Sequence, residues 1–169
     1  MSTQHASEMI VTIDGPAGSG KSSAARALAE RLEFDFLDTG AMYRAVAWSC
    51  LQEAIDWDDL FEVTRIAESI SIDLSDSGIS VNGRDVTAAI RTEAVSAGSS
   101  QVAVVSSVRD ALVKKQRDWA KGKRVVTEGR DQGTVVFPSA PCKFYVTAST
   151  EVRAKRRYAE LVARGEQLE

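Results

Sequence analysis

The chain has 169 residues, 44% of them hydrophobic and 27% charged, with a net charge of −3 at neutral pH. This is the make-up of one globular domain, or of one domain carrying a small insert, and nothing global in it marks a nucleic-acid or membrane partner. No apolar run reaches the eighteen or so residues of a membrane span, and the N-terminus lacks the basic start and apolar stretch of a secretory signal, so a cytoplasmic chain is expected. Cys50 and Cys142 stand far apart and form no CxxC, which argues against a disulfide framework or a zinc site. The single histidine, His5, lies in a polar leader over residues 1–8. Serine–histidine or cysteine–histidine hydrolysis is therefore not expected, and any reaction must run on Lys, Arg, Asp, Glu and bound ions.

In chain order, Met9-Ile10-Val11-Thr12-Ile13 is a β-branched run that reads as a buried strand. A glycine-rich stretch follows, then a predicted helix over 22–32 with Ala24, Ala25, Leu28 and Leu32 on one face. A second strand is predicted over 34–37 and a second helix over 42–54. This strand–helix–strand alternation argues for a parallel α/β sheet. A helix over 58–69 leads into short alternating runs at 70–74, 79–81 and 84–86, the first two joined by a Ser-Asp-Ser-Gly turn and the last two by Asn82-Gly83, a tight hairpin signal. Inside an α/β chain these make a small antiparallel insert. Residues 92–119 read as helix with Val108, Ala111, Leu112 and Trp119 as a buried stripe. Strands at 124–127 and 143–146 and a charged helix at 150–164 complete the pattern.

Gly15-Pro16-Ala17-Gly18-Ser19-Gly20-Lys21-Ser22 matches GxxxxGK[ST] in full, between a strand and a helix. Such glycines let backbone N–H groups turn inward around phosphate oxygens, and the helix start adds partial positive charge. Lys21 is expected on the β- and γ-phosphates of a nucleotide and the Ser22 hydroxyl on Mg²⁺. A guanine-nucleotide switch would need Asn-Lys-x-Asp, but the only asparagine is Asn82 in the hairpin, and no Asp-x-x-Gly occurs.

Two further turns follow strands at the edge where open α/β sheets bind ligands. Asp38-Thr39-Gly40-Ala41-Met42-Tyr43-Arg44 offers a hydroxyl, a phenol and a guanidinium suited to a phosphorylated acceptor, although a Thr N-cap with a solvated Tyr-Arg pair would read the same way. In Glu128-Gly129-Arg130-Asp131-Gln132-Gly133-Thr134, Glu128 stands where an acidic residue orders the Mg²⁺ shell, and Arg130 where it bridges donor and acceptor phosphates.

Residues 13–22, 37–44, Ile90-Arg91-Thr92-Glu93 and Gly129-Arg130-Asp131-Gln132-Gly133-Thr134-Val135-Val136-Phe137-Pro138 fall in the order found in bacterial cytidylate kinases, and from Met9 onward the chain resembles that family. The resemblance implies an α/β, P-loop NTPase-type parallel sheet flanked by helices, with the antiparallel insert as a nucleoside-monophosphate-binding subdomain. It implies core over 9–69, insert over 70–100, core over 101–150 and the start of a lid over 151–169, with the family pattern continuing past Glu169. A chain ending there is expected to bind ATP weakly and turn over poorly.

The implied reaction moves the γ-phosphate of ATP to CMP or dCMP with Mg²⁺. ATP would rest on residues 15–22 and Ser23, and the ion on Ser22 and Glu128. Thr39, Tyr43 and Arg44 match positions around the acceptor, Ser100 and Arg109 positions that read cytosine, Arg130 an acceptor-phosphate arginine and Asp131 a neighbour that recognises the nucleoside. The catalytic set is Lys21, Arg130, Arg157 and Arg153, the last two on the helix from which the lid opens; there Arg153, Lys155, Arg156, Arg157 and Arg164 outweigh Glu151 and Glu160. Small-molecule nucleotides are the implied partners of a cytoplasmic monomer. Rival readings are another small P-loop kinase, for UMP, AMP or shikimate, and a catalytically impaired nucleotide-binding fragment.

Overall fold

The computed structural model describes residues 8–75 and 78–163. The leader with His5, the Asp76-Ser77 centre of the first hairpin turn, and Arg164 with the rest of the expected lid start lie outside the described residues. The elements run β1 (Met9–Asp14), α1 (Lys21–Leu32), β2 (Asp35–Asp38), α2 (Thr39–Gln52), α3 (Leu60–Ser69), β3 (Ile72–Ser75), β4 (Gly78–Val81) and β5 (Arg84–Asp85). A short 3₁₀ turn, Ala89–Arg91, precedes α4 (Glu93–Val102), α5 (Ser106–Ala120) and β6 (Arg124–Gly129); a single π-type turn, Gln132–Val136, then leads to β7 (Cys142–Tyr145) and α6 (Thr150–Ala163).

The chain divides into two compact units, Met1–Phe36 with Gly122–Glu169, and Leu37–Lys121. Residues 37–69 and 101–121 belong to the same unit as the antiparallel strands.

In the first unit β1 lies between β6 and β7 and runs parallel to both, in a sheet of order β2-β6-β1-β7. The β-branched runs at 10–13 and 125–127 explain this, since a strand flanked on both sides and covered by helices must be apolar on both faces. Val11, Ile13 and Val126 pack with Ala25, Ala29 and Phe34, the alanines letting α1 approach the sheet closely. Truncating Phe34 to alanine is expected to cost about 3–5 kcal/mol. The pairing places Ile13 opposite Glu128 and Asp14 opposite Gly129, so the turns that follow β1 and β6 leave the sheet side by side.

In the second unit α2 packs on α3, α4 and α5, and α3 packs on α5, around buried Met42, Val46, Val63, Ile66, Val102, Val108 and Leu112. α4 approaches so closely that a Cβ on Gly98 would stand 2.6 Å from Trp57 Cη2. β3, β4 and β5 form the expected antiparallel sheet, with Ile72 opposite Val81. Asn82 and Gly83 take φ of 49° and 79°, the left-handed pair that a two-residue hairpin turn requires.

Two helix expectations are corrected. α2 begins at Thr39 rather than at 42, because Asp38 caps it by accepting the Ala41 amide at 2.8 Å. The run over 92–119 is two helices, broken after Val102, where Val105 turns to an extended backbone with ψ 116°. No helix among the described residues is long and apolar enough to cross a membrane.

Candidate active site

The phosphate-loop sequence forms the turn between β1 and α1. Gly20, at the N-cap of α1, has φ 94° and no side chain to close the helix start; the first turn carries no acidic residue. The opening N–H groups of α1 therefore keep their capacity for an outside anion. Gly15 and Gly18 also have positive φ. A Cβ on Gly18 would press on the backbone of Arg153 at 3.0 Å, so only glycine lets α6 start against the loop. Ser19 is buried and its hydroxyl has no hydrogen-bond partner among the described residues, while Pro16 is half-buried and Ala17 and Ser23 are exposed.

Lys21, Ser22 and Glu128 come together. Ser22 Oγ donates to Glu128 Oε1 at 2.7 Å, and Lys21 Nζ lies 3.5 Å from Glu128 Oε2 and 3.5 Å from the Pro16 carbonyl. The side chains of Lys21 and Glu128 are only 12% and 7% exposed, so both charges act in a poorly hydrated setting. Among the described residues no group of three His, Cys, Asp or Glu side chains could hold a metal ion. One buried carboxylate beside one hydroxyl is nevertheless the donor set that fits Mg²⁺, which keeps several waters and takes substrate phosphate oxygens as its other ligands.

Arg130 reaches back to the same loop, with Nη1 donating to the Gly15 carbonyl. Asp131 uses its carbonyl to accept from Val135 at 2.8 Å, which starts the π-type turn. Asp14, which sequence reading did not single out, is buried with its carboxylate on the amides of Gln132 and Gly133, each at 2.9 Å.

The arginines of α6 differ in what they touch. Arg156, not Arg157, is on the phosphate loop: its Nη1 donates to the carbonyls of Ser19 at 2.9 Å and Gly18 at 3.2 Å. Arg157 turns to Glu160 at 3.5 Å, a helical i,i+3 pair on an exposed face. Arg153 donates to Thr150 Oγ1 at 3.4 Å, and its Nε is buried without a partner among the described residues. Arg153 and Arg156 are one turn apart, and it is the seat of α6 on Gly18 that decides which guanidinium faces the loop.

The remaining site residues belong to the second unit. Thr39 is buried, Tyr43 half-buried, and Arg44 pairs with Asp38 Oδ2 at 3.4 Å while its Nε is buried and has no partner among the described residues. The N-cap is Asp38 rather than Thr39, and the Arg44 guanidinium folds back over the start of α2 instead of into solvent. Ser100 on α4 and Arg109 on α5 are exposed.

A family model described as "Cytidylate kinase" matches residues 11–169. A cytidylate kinase of Rhodopirellula baltica is 47% identical over 157 residues, which cover 93% of this chain and 69% of that protein. One from Solibacter usitatus is 49% identical, covering 90% of this chain and 66% of its own length. One from Chromobacterium violaceum is 41% identical, covering 93% and 71%.

Proposed function

Because the chain belongs to the cytidylate kinase family, and its reaction is therefore ATP-dependent phosphoryl transfer to CMP or dCMP giving CDP or dCDP, we propose that the side chains gathered on the phosphate loop carry that transfer. The observation that supports this most is the convergence of Lys21 and Ser22 on the buried carboxylate of Glu128 beside an uncapped helix start. The loop amides of 15–22 hold the phosphate chain of ATP, with Ser23 next in line. Lys21 balances the negative charge on the transferring group and its leaving oxygen, and Arg130 supplies a second positive charge at the head of the loop. Ser22 and Glu128 would hold Mg²⁺ with phosphate oxygens completing its shell. When bound, the ion lends positive charge to the β- and γ-phosphates.

Thr39, Tyr43 and Arg44 take the acceptor nucleotide; the buried Nε of Arg44, without a partner among the described residues, supports an anion there. Ser100 and Arg109 read cytosine, whose O2 and N3 accept hydrogen bonds from a guanidinium, and Asp131 helps recognise the nucleoside. Arg153 contributes to the clamp on the phosphates, and Arg156 joins it through its place on the loop. The nucleotides are the partners of a monomeric, cytoplasmic enzyme of pyrimidine nucleotide metabolism, in keeping with a net charge of −3. Steady-state kinetics of Arg109→Ala test the division of roles: a raised KM for CMP with an unchanged KM for ATP is expected, and equal weakening of both would remove Arg109 as the base reader.

A further inference from the structure

Asp14 closes β1 and is the last residue before the phosphate loop. Its side chain does not face the loop. It crosses to the turn after β6, where Oδ1 accepts from the Gln132 amide and Oδ2 from the Gly133 amide, both at 2.9 Å. These are the first two N–H groups of the π-type turn, so one buried carboxylate closes that turn with both of its oxygens. Carboxylate bonds to amides of this kind are roughly twice as strong as neutral ones.

Arg130 lies between two fixed points. On one side Gly129 is paired with Asp14 in the sheet, and its carbonyl accepts from Gly15 N at 3.3 Å. On the other side is the turn held by the Asp14 carboxylate. The guanidinium between them donates to the Gly15 carbonyl. The turn is also fixed from below: the Gln132 side chain accepts from Thr127 Oγ1 at 2.8 Å, and a Cβ on Gly133 would stand 2.7 Å from Thr12 Oγ1.

We propose that Asp14 is a positioning residue for the transfer: through the amides of Gln132 and Gly133 it fixes the turn that carries Arg130, and so aims that guanidinium at the head of the phosphate loop. The inference rests on the reading of Arg130 given above. Asp14 touches no substrate in this scheme, and its effect is exerted through the backbone on one arginine. Asparagine has nearly the same shape but offers one acceptor oxygen and sets an NH₂ group against the second amide, so it both loses a bond and opposes one.

The test is a double-mutant cycle of Asp14→Asn with Arg130→Ala, read as kcat for CMP, with ATP affinity measured separately. Asp14→Asn alone is expected to lower kcat by about 10–100-fold, the cost of a small misplacement, and to leave ATP affinity near the parent's. In the Arg130→Ala background the same substitution is expected to cost almost nothing, since no guanidinium is left to aim. Calorimetric affinities for CMP and cytidine give a second readout that needs no turnover: both single variants should lose part of the preference for CMP, and the double variant no more than Arg130→Ala alone. If Asp14→Asn does not fold, Gly133→Ala moves the same turn with the carboxylate intact and enters the cycle in its place. Additive losses, with Arg130→Ala itself impaired, would overturn the role of Asp14 and leave that of Arg130 standing. Parent-like turnover and CMP preference in Arg130→Ala would overturn both.

Discussion

Ser22 and Glu128 are 106 residues apart in the chain, yet the serine hydroxyl donates to the carboxylate at 2.7 Å. The sheet brings this about: β1 and β6 are parallel neighbours with Ile13 opposite Glu128, so the loop after one strand comes down beside the carboxylate that ends the other. Lys21 holds the second oxygen of the same group at 3.5 Å. One buried carboxylate thus sets the distance between an ammonium and a hydroxyl.

Glu128→Gln tests that arrangement. The amide oxygen can still accept from Ser22, but the negative charge facing Lys21 is gone, and with it the carboxylate proposed to hold Mg²⁺. The Mg²⁺ concentration for half-maximal rate is expected to rise, with a fall in kcat of roughly 10²-fold, the scale of losing one preorganised electrostatic group. A magnesium titration checks this, and an unchanged midpoint would remove Glu128 from the ion's ligands.

Arg156→Ala and Arg157→Ala separate two adjacent arginines. Arg156 donates to the Ser19 and Gly18 carbonyls, whereas Arg157 faces Glu160. Arg156→Ala is expected to raise the KM for ATP by about ten-fold, or about 1.4 kcal/mol, and Arg157→Ala to stay close to the parent, as exposed ion pairs of its kind usually contribute little. A larger loss from Arg157→Ala would reverse the assignment.

These residues show where sequence reading succeeds and where it stops. The meeting of Lys21, Ser22 and Glu128 is legible, because motif residues at the ends of neighbouring parallel strands must share one edge of the sheet. The phase of α6 is not, since Arg153, Arg156 and Arg157 are all within one turn of each other and the choice depends on where the helix rests on Gly18. The start of α2 was open to a different reading: Asp38 is a good N-cap residue, but it also ends β2, and Gly40 in the first turn disguises the helix. The break between α4 and α5 carries no Gly or Pro at Ala103-Val104-Val105 to announce it. Asp14 was hidden for a further reason, because its partners are backbone amides 118 and 119 residues away, and backbone amides leave no mark in a sequence.

Cys50 gives a pH-dependent expectation away from the site. Burial in α2, with Glu53 nearby adding to it, pushes its thiol up from an ordinary value of 9.0 to about 11. The unfolded chain therefore loses this proton at lower pH than the folded one, so the stability that Cys50 contributes is present below pH 9 and lost as pH rises through about 11. At neutral pH a thiol reagent should label half-buried Cys142 in the folded protein and reach Cys50 only on unfolding. Cys50→Ala should flatten the alkaline loss of stability; equal labelling of both thiols under native conditions would contradict the burial argument.

The loop of residues 15–22, with Lys21 near its end, is proposed to serve phosphoryl transfer to a cytidine monophosphate. Its most direct test is an ADP-release assay with Mg-ATP, comparing CMP, dCMP, UMP, AMP and shikimate as acceptors, run in parallel on Lys21→Ala. Turnover highest with CMP and dCMP, and lowered by roughly 10²–10³-fold or more in Lys21→Ala, is the expected result. A preference for UMP, AMP or shikimate, or a Lys21→Ala variant as fast as the parent, would contradict it.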